Sequence, residues 1–92
     1  MKDQKQIEQF EKVFKILANN HRLAIIKLLK REYNVPVWYV TEKIGSNIKS
    51  TSKNLRILLD EGVVERGQHL NEAVYFLSRK NSRIVRYIIK QL

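Results

Sequence analysis

The sequence contains no cysteine, only one proline and only three glycines in 92 residues. Without cysteine, the chain has no disulfide framework, thiolate metal site or thiol redox switch. Scarce proline and glycine favour long helices over a β fold with many turns. No run approaches the roughly 18 consecutive apolar residues of a membrane span, and the N-terminus, MKDQKQIEQF, lacks the apolar segment of a signal peptide. We therefore expect one small domain over residues 1–92, cytoplasmic and without a membrane partner.

Acidic residues are missing from two segments of a basic chain. Lysine and arginine total 18 against 9 acidic residues, which gives a net charge of +9. Residues 47–59 contribute +3 and residues 78–92 contribute +5, both without an acid, whereas residues 60–77 contribute −3. Such a concentrated excess suits a polyanion such as nucleic acid. Anionic lipid fits less well, because no helix combines a Trp/Phe-rich face with a lysine-rich one. An inert basic surface remains the alternative.

Apolar spacing predicts two helices in the first third of the chain. Apolar residues recur at steps of three and four over residues 4–18, which indicates an amphipathic helix. Asp3 and Gln6 could form a capping box at its start. Asn19 is suited to cap a second helix over about residues 20–32. That helix is apolar on more than one side, as expected of a central helix.

The middle of the chain predicts a helix-turn-helix. The only proline favours an extended Val35 before it. A short helix over residues 38–44 should then end at Gly45. A fourth helix, over residues 47–61, can be capped by its own first residue, an asparagine, and terminated by Gly62.

The last third predicts a β-hairpin and a final helix. We expect strands at 63–68 and 72–78 with a tip near 69–71, and Gly67 indicates a bulge. The segment NSRIVRYIIKQL reads as a helix with one apolar side. The order α-α-β-α-α-β-β-α predicts a mainly α fold with a small β-hairpin wing, the plan of a winged helix-turn-helix.

The fourth helix has two unlike faces. On a helical wheel, four residues lie within about 80° of Ile48, and together with it they form the predicted core stripe: Ile48, Thr51, Leu55, Leu58 and Leu59. Lys49, Lys53 and Arg56 form a cationic strip at i, i+4 and i+7, although like charges at this spacing cost a few tenths of a kcal/mol. A face that is merely solvated would usually include glutamates that offset this repulsion, and residues 47–59 contain none. The N-terminal half also carries short polar side chains suited to phosphates or base edges: Asn47, Ser50, Thr51, Ser52 and Asn54. An exposed, merely solvated face is the alternative.

Four segments together resemble the ArsR (arsenic-repressor) type of winged-helix regulator: LANNHRLAIIKLL, VTEKIG, STSKNLRILLDEGVVE and AVYFL. Arg22 and Leu23 match the family's Arg-Leu, and Asn19 stands in place of its capping Asp. Residues 58–64 match the family's L-x-x-x-G-L-V end. The resemblance covers about residues 14–78 in unbroken register.

The resemblance implies a homodimer that places its fourth helix in the major groove of double-stranded DNA and its wing against the backbone or minor groove. The DNA-binding set that we expect is Asn47, Lys49, Ser50, Ser52, Lys53, Asn54, Arg56, Arg66, His69 and Asn71. The first and last helices would form the dimer interface through Ile7, Phe10, Phe14, Ile84, Val85, Ile88 and Leu92. The alternative is that these apolar stripes pack on their own monomer's core.

The sequence departs from the family at its sensor sites. The third helix has VPVWYV where metal-sensing members carry cysteines, and the last helix has no histidine or acid. We therefore expect no metal and no cofactor, and no effector can be identified. Ile48 takes a position that is usually Gln in the family and can touch DNA, so the base-reading set is altered. The wing, GQHLNEA, carries Glu72 and few cations, so we expect it to contribute less.

Other side chains offer little chemistry. His21 and His69 match no metal-ligand spacing, and the serines and threonine at 50–52 have no evident base, so an enzyme is not expected. Trp38 and Tyr39, which begin a short helix, are predicted to be core residues, with the lining of a small-molecule pocket as the alternative.

The sequence thus predicts a cytoplasmic transcriptional regulator, and a repressor in particular, that binds a short inverted repeat in DNA sequence-specifically and is nucleoid-associated when DNA-bound. A non-specific architectural DNA-binding protein and a winged-helix protein-interaction module remain the alternatives.

Overall fold

The computed structural model describes residues 3–92. They form five helices and one antiparallel two-stranded hairpin. The elements are α1 (Gln4–Leu17), α2 (Asn20–Arg31), α3 (Val37–Ile44), α4 (Ile48–Asp60), β1 (Val64–His69), β2 (Glu72–Leu77) and α5 (Arg83–Gln91). The predicted winged helix-turn-helix is confirmed, because each predicted helix and each strand of the hairpin begins and ends within two residues of its predicted bounds. The β segment predicted before α3 is only a single bridge, between Val35 and Tyr75.

Asparagine caps begin the two helices that matter most for the site. The Asn19 side chain accepts a hydrogen bond from the Arg22 backbone N–H at 3.0 Å, and Asn47 accepts one from that of Ser50 at 2.8 Å. Both predicted caps are confirmed. The predicted capping box at Asp3 is wrong, because Asp3 has helical backbone angles and its side chain makes no cap hydrogen bond.

A tight turn joins α3 to α4. Gly45 ends α3 at φ 67°, and the Ser46 N–H donates to the Thr41 carbonyl at 3.1 Å. Only residues 45–47 separate the two helices. Gly62 ends α4 in the same left-handed conformation, at φ 74°. These two glycines fix where the chain enters and leaves α4.

The hairpin has a regular register and a two-residue turn. Its strands pair from Val64 with Leu77 to His69 with Glu72. The predicted bulge at Gly67 is wrong, because Gly67 pairs with Val74 without interruption. A Cβ atom at Gly67 would lie 3.3 Å from Cε1 of Phe76, so the glycine leaves room for that ring.

Three contacts attach the hairpin to the loop before α3 and to α3 itself. Val35 exchanges two backbone hydrogen bonds with Tyr75, at 3.1 and 2.8 Å. The Tyr33 ring stacks on Phe76 with centroids 5.6 Å apart. The Trp38 indole N–H donates to a Glu72 carboxylate oxygen at 2.8 Å. Trp38 was predicted to be a core residue, but it is 52% exposed, because this bond lies at the surface.

The core joins α2, α3, α4 and β1 into one platform. Its fully buried apolar side chains are Ile25, Ile26, Val40, Leu55, Leu58 and Val64. Each stabilises the fold by about 1.5–3 kcal/mol relative to an exposed side chain. The fourth helix is therefore held along one side by the core and is open to solvent on the other.

Candidate nucleic-acid interface

The outer face of α4 carries the predicted cationic strip. Lys49, Lys53 and Arg56 are all exposed, as is Ser52 between them. Among residues 3–92, none of the three cations pairs with a carboxylate; the ion pairs found there join Lys12 to Glu61 and Lys15 to Glu11. The strip therefore keeps its full positive charge available to a ligand.

The inner face of α4 corrects one predicted contact. Asn54, expected on the DNA-reading surface, is only 8% exposed. Its side-chain oxygen accepts a hydrogen bond from Nη1 of Arg22 at 2.9 Å. A polar side chain becomes buried where such a partner satisfies it, and α2 supplies the partner here. Asn54 therefore belongs to the packing of α4 and not to its exposed face.

Arg22 links three helices. Its Nε donates to the Ile16 carbonyl at 2.6 Å, near the end of α1, while Nη1 donates to Asn54 on α4. Its own backbone N–H donates to the Asn19 cap at the start of α2. Sequence reasoning noted Arg22 only as part of a family motif. Apolar periodicity carries no signal for an arginine that points inward.

The N-terminal end of α4 differs from the prediction at Ile48. The predicted core stripe includes this residue, but it is 51% exposed, because it is the first residue of α4 and lies at the end of the packed face. Thr51, Leu55 and Leu58 are buried as predicted. Asn47 is exposed, although its side-chain oxygen is already used as the helix cap.

The wing has exposed polar residues and little charge. Arg66, His69 and Asn71 are all exposed. Arg66 is the only cation in residues 64–77, which also contain Glu65 and Glu72. The wing therefore offers hydrogen bonding to a ligand, but little electrostatic attraction.

The apolar residues expected at a dimer interface fall into two groups. Ile7, Phe10 and Phe14 on α1 are 51%, 42% and 49% exposed. Val85 is a correction: it is 3% exposed and belongs to its own monomer's core. Ile84, Ile88 and Leu92 are half-buried and pack partly against the same core.

One apolar residue of α5 was missed. Tyr87 is 60% exposed and, together with Phe10, lines a long groove between α1 and α5. Sequence reasoning assigned the apolar side of α5 to Ile84, Val85, Ile88 and Leu92. Tyr87 comes three residues after Ile84 and therefore lies on the same side of the helix, and this spacing was the missed signal.

A tyrosine and a glutamate join the end of α2 to α3. The Tyr39 hydroxyl donates to a Glu32 carboxylate oxygen at 2.6 Å. This hydrogen bond raises the pKa of Tyr39, and burial and the charges of Glu32 and Glu42 add to the effect. The bond fixes the first turn of α3 against α2.

The described part of the chain contains no group of three His, Asp or Glu side chains placed to hold a metal ion. None of its helices is long and apolar enough to cross a membrane.

Solved structures with the same fold are regulators from several bacteria. A "predicted DNA-binding transcriptional regulator" from Escherichia coli shares 25% identity over 96% of this chain and 90% of its own, with a TM-score of 0.81. The homodimeric winged helix-turn-helix DNA-binding domain of Mb0332 from Mycobacterium bovis, described as a possible ArsR-family regulator, shares 26% identity over 97% of this chain and 79% of its own, with a TM-score of 0.78. The repressor BigR from Xylella fastidiosa shares 20% identity over 91% and 80%, at TM-score 0.79, a likeness of fold alone.

Comparisons with protein-family models and with curated proteins find no match. The structural neighbours and the sequence resemblance nevertheless agree. The chain has the winged helix-turn-helix fold of ArsR-type transcriptional regulators.

Proposed function

We propose that the protein is a homodimeric transcriptional regulator that binds a short inverted repeat in double-stranded DNA. The observation that carries this proposal is the strip of Lys49, Lys53 and Arg56. It is exposed, unpaired within residues 3–92 and backed by a buried face of the same helix. Three like charges on one helix face cost stability unless a polyanion neutralises them.

The proposed docking places α4 in the major groove. A groove about 12 Å wide admits a helix with its side chains. Lys49 and Ser52 would lie nearest the base edges, because the N-terminal end of such a helix enters deepest. Lys53 and Arg56 would bind phosphates or reach purine acceptors. Ile48 would offer an apolar contact, for instance to a thymine methyl group.

Several predicted contacts stay in the proposal with smaller roles. Asn47 and Ser50 stand at the start of α4, where their polar groups and the backbone N–H groups suit a phosphate. Arg66, His69 and Asn71 give the wing three side chains that can hydrogen-bond to the backbone or the minor groove. Asn54 is not part of the proposed DNA-binding surface, because it is buried against Arg22.

The proposed dimer uses the exposed apolar residues of α1. Phe10 and Phe14, whose ring centroids lie 6.3 Å apart, form part of one exposed apolar patch. A small monomeric domain rarely leaves such a patch exposed to water. The groove between α1 and α5 continues this surface as far as Tyr87. A second copy would cover both, and the two-fold symmetry of that dimer would match an inverted repeat. The Mb0332 domain, described as homodimeric, supports a dimer as the state of this fold.

In this proposal, the protein represses transcription by occupying its DNA site. A dimer with two recognition helices covers more than one helical turn of DNA. When its site overlaps a promoter, RNA polymerase is excluded. No effector is needed for this mechanism.

The experiment is a pull-down of sheared DNA from the source genome at near-physiological salt, with the bound fragments sequenced. The proposal predicts a few enriched fragments that share an inverted repeat. Even recovery of all fragments would contradict sequence specificity and favour an architectural protein. Recovery of none would contradict DNA binding and favour a protein-interaction module.

A further inference from the structure

The tip of the wing carries an exposed leucine in a strained conformation. Leu70 is 86% exposed and has φ 49°. The other residues besides glycine with positive φ in the described chain are Asn34 and Asn71. Asparagine tolerates this region, whereas in leucine the Cβ atom crowds the backbone oxygen. Two-residue turns with two positive φ angles normally use Asn and Gly. Leucine is therefore unfavourable here in two ways: its backbone is strained in this turn, and its apolar side chain is exposed to water.

Polar residues surround Leu70. Gln68, His69, Asn71 and Glu72 are all exposed. The nearest apolar residue along the hairpin is Ala73, which is half-buried. A protein-binding site needs a contiguous apolar patch with a polar rim. A single apolar point among hydrogen-bonding groups does not meet that need.

The hairpin holds this leucine in a defined place. Glu72, two residues after Leu70, accepts the Trp38 indole hydrogen bond at 2.8 Å and pairs with His69 across the strands. Closer to the core, the Tyr33 ring stacks on Phe76. A side chain carried by an anchored hairpin loses little further freedom when it binds. Leu70 is thus presented on a preorganised tip.

We infer that Leu70 is a wedge that enters the minor groove of DNA beside the segment read by α4, where it packs on the sugars and partly opens one base step. Proteins that bind the minor groove commonly insert apolar side chains in this way, with polar neighbours that contact the groove edges. His69 and Asn71 supply such neighbours. This inference rests on the proposed DNA-binding function.

The charge of the wing favours this role over a phosphate-binding one. Residues 64–77 carry one cation and two acids, so the wing gains little from phosphates. An apolar wedge gains instead from burial and from the bend that it permits. The cationic strip on α4 supplies the electrostatic attraction that the wing lacks.

The test compares Leu70→Asn and Leu70→Gly with the unchanged protein and with Leu70→Met. The probe is a labelled duplex of about three helical turns that carries the inverted repeat recovered in the pull-down, for which affinity and end-to-end distance by energy transfer are measured. Asn and Gly relieve the strain, so thermal unfolding should shift upwards by a few degrees, within about 8 °C. The same variants should bind about tenfold more weakly and bend the duplex less. Leu70→Met keeps an apolar side chain and should therefore bind and bend the duplex nearly as well as the unchanged protein.

Stability and binding thus move in opposite directions, which simple misfolding cannot produce. Equal affinity and bending for Leu70→Asn and the unchanged protein would overturn the wedge while leaving DNA binding intact. Weaker binding with unchanged bending would overturn it too, and would indicate a backbone contact. Conversion of a dimer to monomers by Leu70→Asn would make Leu70 a protein contact. Failure of the unchanged protein to bind the duplex would overturn the proposed function together with the wedge.

Discussion

Nη1 of Arg22 donates a hydrogen bond to the side-chain oxygen of Asn54 at 2.9 Å, across 32 positions of sequence. Nε of the same arginine donates to the Ile16 carbonyl at 2.6 Å. One half-buried cation thereby joins the end of α1, which bears the proposed dimer surface, to the middle of α4, which bears the proposed DNA surface. The relative position of these two surfaces decides which spacing of half-sites a dimer can reach.

Arg22→Met should therefore weaken DNA binding as well as stability. It leaves the buried Asn54 oxygen and the Ile16 carbonyl without their donor, at a cost of about 1–3 kcal/mol in the free energy of unfolding. Affinity for DNA should fall in protein that remains fully folded, because α4 is no longer held. Arg22→Lys can reach only one of the two acceptors and should recover part of the affinity. Urea unfolding and fluorescence anisotropy with labelled DNA measure the two effects.

The control is Leu29→Ala, a substitution in the core at the far end of α2. It costs about 2–5 kcal/mol in stability but leaves the hydrogen bonds of α4 in place. An Arg22→Met protein that loses no more DNA affinity than Leu29→Ala would show that Arg22 acts on stability alone.

Sequence reasoning located the elements well, because their signals are local. Asn19 and Asn47 mark helix starts by hydrogen bonds that span three residues, and Gly45 and Gly62 mark helix ends by backbone conformation. Two runs of β-forming residues on either side of a polar middle placed the hairpin to within one residue. These features need no knowledge of the tertiary structure.

The errors at the site arise from contacts between distant residues. Asn54 looks exposed by type, and only its pairing with Arg22 from another helix shows that it is buried. Ile48 looks buried by type, but it is 51% exposed at the first position of α4, where the packed face of the helix has only begun. Trp38 likewise looks like a core residue until its bond with Glu72 on the wing is seen. Composition cannot supply such partners.

A second prediction concerns the buried hydroxyl of Thr51. This side chain is fully buried, and its Oγ1 has no hydrogen-bond partner in the described residues. Thr51→Val removes an unsatisfied polar group at nearly constant shape, so the protein should gain about 1–2 kcal/mol of stability. Thr41→Val is the matched control, because Thr41 Oγ1 donates to the Val37 carbonyl at 2.8 Å. Thermal unfolding should rise for the first variant and not for the second; a decrease at Thr51 would mean that its hydroxyl is satisfied.

A third prediction concerns the dimer. Phe10→Asp places a charge within the exposed apolar surface of α1, so the dimer should separate into 11.0 kDa monomers at micromolar concentration. Sedimentation equilibrium measures the change. Gln4→Asp adds the same charge on the same helix, outside the apolar surface, and should leave the dimer intact. A Phe10→Asp protein with the mass of the unchanged protein would contradict this interface.

A fourth prediction concerns alkaline pH. Because the Glu32 hydrogen bond raises the pKa of Tyr39, the folded state favours the protonated phenol. The stability that this bond contributes is present below the usual tyrosine pKa of about 10 and is lost as pH rises through the raised value. Urea midpoints of the unchanged protein should therefore exceed those of Tyr39→Phe at neutral pH, and the excess should vanish in strong alkali. A constant difference across this range would show that the bond is absent in solution.

The central claim is that the cationic strip of α4 binds DNA. The most direct measurement is the salt dependence of DNA affinity for a variant in which Lys49, Lys53 and Arg56 are all replaced by Ala. A control variant replaces Lys27, Lys30 and Arg31, three exposed cations at the far end of α2, and has the same net charge as the α4 variant.

Each phosphate that the protein no longer neutralises reduces the log–log salt slope by about 0.9. We expect the α4 variant to bind far more weakly with a slope reduced by up to about three units, and the control to keep most of its affinity and slope. Equal decreases in the two variants would contradict the claim, since net charge alone would then account for binding.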